Sequence, residues 1–144
     1  MNDWFERECL HRAAQAGDLT AVQDLFGREY PVNAFDELGK TPLHYAVEAE
    51  HLLVVDYLLR HGADINARDE RVIGDTPLGE AASTCSLAMA RLVEAGADPT
   101  VRGWMQLNAV DRAKRRKKEE GIGGVGQAVF EFLREAARKR KFRR

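Results

Sequence analysis

The sequence predicts an all-α solenoid: four helix-turn-helix units stacked side by side, with short β-turn fingers between them. Three observations predict it. The stretch "GKTPLHYAVEAEHLLVVDYLLRHGADINA", Gly39 to Ala67, is copied in "GDTPLGEAASTCSLAMARLVEAGADPTV", Gly74 to Val101. The Thr-Pro pairs at Thr41 and Thr76 lie 35 residues apart, and the "GAD" triplets at Gly62 and Gly96 lie 34 apart. A fixed period of this size marks a stacked repeat, because one such unit cannot bury its apolar face alone. Finally, 144 residues with 44% apolar and 31% charged side chains have the composition of one globular domain. No run of ~18 apolar residues is present to span a membrane.

Each unit follows from local chemistry. The first, residues 3–33, is degenerate: 33 positions before Thr41 stands Glu8, opening "ECLHRAAQAGDLTAVQDLF" with Leu10, His11 and Ala13 in register. The second, 36–66, opens at Thr41, an N-cap whose hydroxyl can accept a free helical amide. Pro42 follows at the first helical position, where its missing N–H costs nothing. Leu52, Val55, Leu58 and Leu59 give the second helix its apolar face, and Gly62 ends it in a left-handed conformation. The third, 69–100, repeats the plan with Thr76, Pro77, an apolar face of Leu87, Ala90 and Val93, and Gly96. In the fourth, 103–141, Asn108 takes the threonine place, Asp111 the histidine place, and Ala113 matches. A closing helix, "QAVFEFLREAARKRK", carries the stripe Val129, Phe130, Leu133 and Ala137, and 142–144 form a basic tail.

The motif "TPLHYA", weakened to "TPLGEA" and "ECLHRA" in the flanking copies, resembles the signature of the ankyrin repeat. That resemblance covers nearly the whole chain, with the first and last units as degenerate caps that present a polar outer face to water. It implies that His11 and His44 tie neighbouring turns together by hydrogen bonds. It also implies a concave wall of fingers and first helices that grips a partner protein. Carried onto this chain, the variable finger positions are Phe35, Glu37, Leu38 and Lys40, then Arg68, Glu70, Val72, Ile73 and Asp75, then Arg102, Trp104, Met105 and Leu107. Trp4 and Phe5 are read as a cap on the first helix. Every finger tip carries a large apolar side chain where a chain selected only for folding would carry polar ones. Such side chains either make binding anchors or pack against one another along the finger row, with Trp104 and Met105 open to both readings. Glu37, Glu48, Glu50, Glu70, Asp75 and Glu80 are expected to make the wall negative and to attract a basic partner.

One motif argues otherwise. "GIGGVG", 121–126, satisfies the GxGxxG pattern of a dinucleotide loop. Such a loop needs a buried strand before it, and "RAKRRKKEE" cannot be one. Ala113 to Leu133 spans 20 positions where Ala81 to Val93 spans 12, so the run reads as an elongated loop of eight extra residues between two helices.

No catalytic constellation is found. His11, His44, His51 and His61 show no metal-ligand spacing, and Cys9 and Cys85 have no histidine partner. No cofactor and no metal is expected. The two cysteines read as reduced thiols of a cytoplasmic protein, with no membrane contact and a monomeric state when alone. Charge is divided: residues 1–100 balance to −10 and 101–144 to +9. The basic half suggests a second surface, Arg112, Arg115, Arg116, Lys117, Arg138, Lys139 and Arg140, suited to phosphates, but with Phe142 alone to stack on bases. The sequence therefore predicts a non-enzymatic protein-binding module, an inhibitor, immunity-type antitoxin or adaptor. A nucleic-acid-associated ankyrin protein is the alternative.

Overall fold

A computed structural model describes residues 8–72, 74–84, 87–121 and 123–142. Trp4, Phe5, Ile73, Cys85 and the tail residues Arg143 and Arg144 lie outside the described residues, as does the side chain of Trp104. Four helix pairs follow one another among the described residues: α1 (Cys9–Ala16) with α2 (Leu19–Gly27), α3 (Pro42–Glu48) with α4 (Leu52–Arg60), α5 (Pro77–Thr84) with α6 (Leu87–Glu94), and α7 (Ala109–Glu120) with α8 (Val125–Phe142). The first helices stack in an inner row, α1 on α3 on α5 on α7, and α2, α4 and α6 stack behind them. No strand occurs among the described residues.

The caps are those the residues dictate. The Thr76 hydroxyl accepts the Gly79 N–H at 3.0 Å. At Thr41 the N–H donates to His44 Nδ1 at 3.0 Å, which leaves the His44 Nε2–H free to donate to the Asp75 carbonyl at 2.6 Å in the next unit. Burial, against the hydrogen bond to Asp75 and with help from the Lys40 charge, pushes the His44 pKa down to about 4. One unit earlier, the His11 Nε2–H is likewise directed at the following unit, shared between the carbonyls of Ala34 (2.8 Å) and Lys40 (3.0 Å). Asn108 accepts the Asp111 N–H, and Asp111 accepts the Asn108 N–H in return. Asp111 thus keeps the histidine's capping role but has no N–H to offer a further unit.

A second ladder escaped the sequence reading. Asn33 donates to the Gly62 carbonyl and accepts the Asp64 N–H (2.7 Å), and Asn66 accepts the Asp98 N–H (2.8 Å). The 33-residue spacing of the two asparagines was the signal that could have found it.

The core runs the length of the stack through Leu10, Val22, Leu43, Val47, Val54, Val55, Leu58, Leu78, Leu92 and Leu133. The predicted helix faces meet the core, with neighbouring residues joining them, and the side chain of Leu87 lies outside the described residues. In α4 the buried face is Val54, Val55 and Leu58, with Leu52 and Leu59 half-buried. In α6 it is Ala88 and Leu92, with Ala90 and Val93 at its margin. In α8, Val129 and Leu133 are buried, and Phe130 and Ala137 are half-buried. Gly62 (φ 93°) and Gly96 (φ 99°) take the left-handed turn expected of them.

The elongated loop is not there. α7 runs for 12 residues against 7 and 8 in α3 and α5, and α8 begins at Val125, so helix absorbs most of the extra length. Helix is favoured because Arg116 and Glu120 pair one turn apart at 2.6 Å, and Glu120 then accepts the Gly126 N–H at 2.7 Å, capping α8. "GIGGVG" joins two helices rather than a strand to a helix. A Cβ at Gly126 would stand 2.9 Å from the Lys117 nitrogen and 3.0 Å from the Arg116 carbonyl carbon. That glycine lets α8 cross close over the α7 backbone.

Candidate binding face

Each finger is a turn closed by its own backbone. In the first, the Asp36 N–H donates to the Lys40 carbonyl (2.9 Å), and Asp36 Oδ1 accepts the N–H groups of Leu38 and Lys40. In the second, Asp69 Oδ1 accepts the Arg71 N–H, and the Gly74 N–H donates to the Val72 carbonyl. In the third, the Gly103 N–H donates to the Leu107 carbonyl around a 3₁₀ turn, Trp104–Gln106. Aspartate opens two of these turns because its carboxylate can hold two amides at once.

Three apolar side chains stand at successive tips: Leu38 is 66% exposed, Val72 39% and Met105 60%. They differ in what holds them. Val72 packs over Gly39 of the preceding finger, where any side chain would meet its methyl. Val72 therefore works partly as packing between fingers. Met105 sits at φ 55° with Gln106 at φ 60°, two consecutive non-glycine residues in the left-handed region. Such a conformation is costly and persists only where its surroundings impose it. Phe35 and Leu107 are half-buried at the finger bases, and Glu37, Glu70 and Arg102 are exposed.

Behind the tips, the first helices carry a network of charge rather than a uniformly negative wall, which corrects the sequence expectation. Lys40 lies 3.1 Å from Glu48 and 3.8 Å from Glu80, and 5.3 Å from the centre of the Tyr45 ring. The Tyr45 hydroxyl donates to Asp36. Asp75 pairs with Arg112 at 2.6 Å, both side chains largely covered. Burial pushes the Glu80 carboxyl up to about 7; Glu48 and Asp75 add to this, while Lys40 and Arg112 oppose it. Near neutral pH Glu80 is thus only about half ionised. Of the six acids meant to attract a partner, Glu48, Glu80 and Asp75 are matched from within by Lys40 and Arg112, while Glu37, Glu50 and Glu70 stand exposed.

Most of the basic surface is matched as well, in three cases by a carboxylate one turn away on the same helix. Of its seven predicted members, Arg112 pairs with Asp75, Arg115 with Glu119, Arg116 with Glu120, Arg138 with Glu135 and Arg140 with Asp98. Lys117 lies 4.9 Å over the Phe130 ring. The remaining histidines hold turns: His51 Nε2 donates to the Gln15 carbonyl, and His61 Nδ1 to the Tyr57 carbonyl. Among the described residues no group of three or more His, Cys, Asp or Glu could hold a metal ion, and no helix is long and apolar enough to cross a membrane.

Residues 5–103 match the family model of ankyrin repeats, in three copies. The chain is similar to an ankyrin repeat protein of Rickettsia felis, 38% identical over 95 residues, covering 63% of this chain and 24% of that protein. It is similar to the human Arf-GAP with coiled-coil, ANK repeat and PH domain-containing protein 3, 46% identical over 63 residues, 42% of this chain and 8% of that one. A palmitoyltransferase of Schizosaccharomyces pombe is 44% identical over 59 residues, 40% of this chain and 9% of the enzyme. The chain spans a quarter or less of the length of these relatives.

Proposed function

We propose that this chain, which belongs to the ankyrin repeat family, is a single four-repeat domain that binds a partner protein through its fingers and inner helices. Ankyrin repeats mediate protein–protein interaction, and stacking them creates an extended concave surface for it. The observation that carries the reading is the exposure of Leu38 and Met105 at the tips of turns already closed by their own hydrogen bonds. Folding does not use these side chains, whereas a hot spot would. Phe35, Glu37, Lys40, Glu48, Glu70, Val72, Asp75, Arg102 and Leu107 frame them, with Ile73 and Trp104 assigned from sequence register alone. Action is by occupancy, without chemistry, as an inhibitor, immunity-type antitoxin or adaptor in the cytoplasm. A partner meets apolar tips first and then a charge-matched floor, so contact depends on shape and apolar burial more than on steering.

The test is capture of a partner from the source cell with the full chain, followed by Leu38→Ala and Met105→Ala. Each substitution should weaken binding by ~1 kcal/mol or more, about fivefold, if these are anchors. Retention unchanged in the double variant refutes the face assignment.

A further inference from the structure

We propose that the open end of the stack is a second docking site, shaped for an acidic amphipathic helix of a partner protein. It shares Leu107, at the base of the last finger, with the fingertip face and otherwise lies on α7 and α8. Within the stack, every inner helix but the last receives the next one: α3 on α1, α5 on α3, α7 on α5. The residues following the shared alanine of those helices, Ala14, Val47 and Ala82, are fully buried. In α7 the same register position is Lys114, and it is exposed. No further unit covers α7 in this structure, and the surface left there is a cleft of about 780 Å³.

Its floor is apolar, with Leu107 from the finger base and Phe130 from α8, and its rim is cationic, with Lys114, Arg115, Lys117 and Lys118. The one carboxylate in the lining, Asp111, is already engaged by the Asn108 N–H. Ion pairs take up Lys40, Arg71, Arg91, Arg112, Arg116, Arg138 and Arg140 elsewhere. Lys114 and Lys118 have none among the described residues. In the rim, Arg115 pairs with the exposed Glu119 at 3.7 Å and Lys117 lies over Phe130, which leaves Lys114 and Lys118 with neither kind of contact among the described residues. These two cations stand beside an apolar hollow, and the complement of that pattern is an anionic amphiphile.

A helix fits best for two reasons. The surface is the kind that accepts a helix at each earlier step of the stack. Lys114 and Lys118 stand one helical turn apart, matching carboxylates at i and i+4 on an incoming helix, with an apolar side chain between them reaching Leu107 and Phe130. A nucleic acid strand would want several stacking rings, and the cleft lining has one, Phe130.

The test titrates the full chain with a fluorescein-labelled helix-forming peptide of about 14 residues, bearing paired glutamates at i and i+4 beside a leucine stripe. Binding is read by anisotropy at low ionic strength, and the site is mapped by amide shifts. Saturable binding that perturbs residues 107–118 and 130 is expected. Lys114→Glu with Lys118→Glu, both on exposed side chains, should weaken it at least about tenfold. A Glu→Gln peptide and a Leu→Ser peptide should each bind more weakly. Leu38→Ser with Met105→Ser should leave this titration unchanged, which separates its failure from failure of the fingertip reading. Indifference to the charge reversal, indifference to loss of the leucines, tighter binding of an oligothymidine, or self-association of the chain through this face would each overturn the proposal.

Discussion

Replacing Glu80 with glutamine should stabilise this protein at neutral pH, although it removes a partner of Lys40. The Glu80 carboxyl titrates at about 7 in the folded chain against 4.5 ordinarily, with burial as the main cause. The side chain is 21% exposed, so solvent screening of the effect is modest. Between those two values the folded state holds a proton that the unfolded state has released. Raising the pH therefore costs stability, by about 3 kcal/mol once both states are ionised. His44 slopes the other way. Folded at about 4 against 6.5, it stays neutral where the unfolded chain takes up a proton, so stability rises with pH across that window, again by about 3 kcal/mol. In the natural sequence the two slopes oppose each other over nearly the same range. The Glu80→Gln variant should match the parent at pH 4.5 and exceed it progressively, by about 2.5 kcal/mol at pH 7 and about 3 at pH 8. It should also uncover the rise due to His44 between pH 4 and 6.5. Urea unfolding followed by circular dichroism at half-unit pH steps measures both. A difference between variant and parent that does not change with pH, or a variant less stable at pH 8, refutes the assignment of a costly buried carboxylate.

Two further substitutions test the packing. Gly126→Ala should cost about 1–3 kcal/mol in the same unfolding measurement, because the new methyl meets α7 backbone that cannot move aside; a neutral result would mean that α8 does not lie so close. Asn66→Ala should cost about 1–3 kcal/mol by leaving the Asp98 N–H without its acceptor. Hydrogen exchange at the Asp98 amide should quicken in that variant, and an unchanged rate would show that the asparagine ladder is incidental.

Much of the fold was legible in the residues. Threonine, proline and glycine at fixed offsets act through the few bonds around them, so the helix starts, the stops and the repeat period needed no tertiary information. The exclusion of a strand by "RAKRRKKEE" before Gly121 belongs to the same class, whereas the tie from His44 to Asp75 spans 31 residues and was implied only by the family resemblance. The added length of the fourth pair was visible as a number, but not its form. Arg116, Glu120 and Gly126 turned a supposed loop into helix, because an i,i+4 pair and a close helix crossing reward continuity that glycine content alone argues against. The candidate face was legible only in outline. Leu38 and Met105 are exposed as their turn positions suggested, yet Val72 leans on the finger before it.

The amino-acid sequence by itself determined that helix pairs stack in line, since period, caps and apolar spacing are local. Which charges remain available to a partner was decided by the tertiary structure. Lys40 and Glu80, Arg112 and Asp75, and Arg140 and Asp98 meet across unit boundaries at separations of 37 to 42 residues. Coulomb attraction depends on distance through space, and only the stacking angle of the units sets that distance.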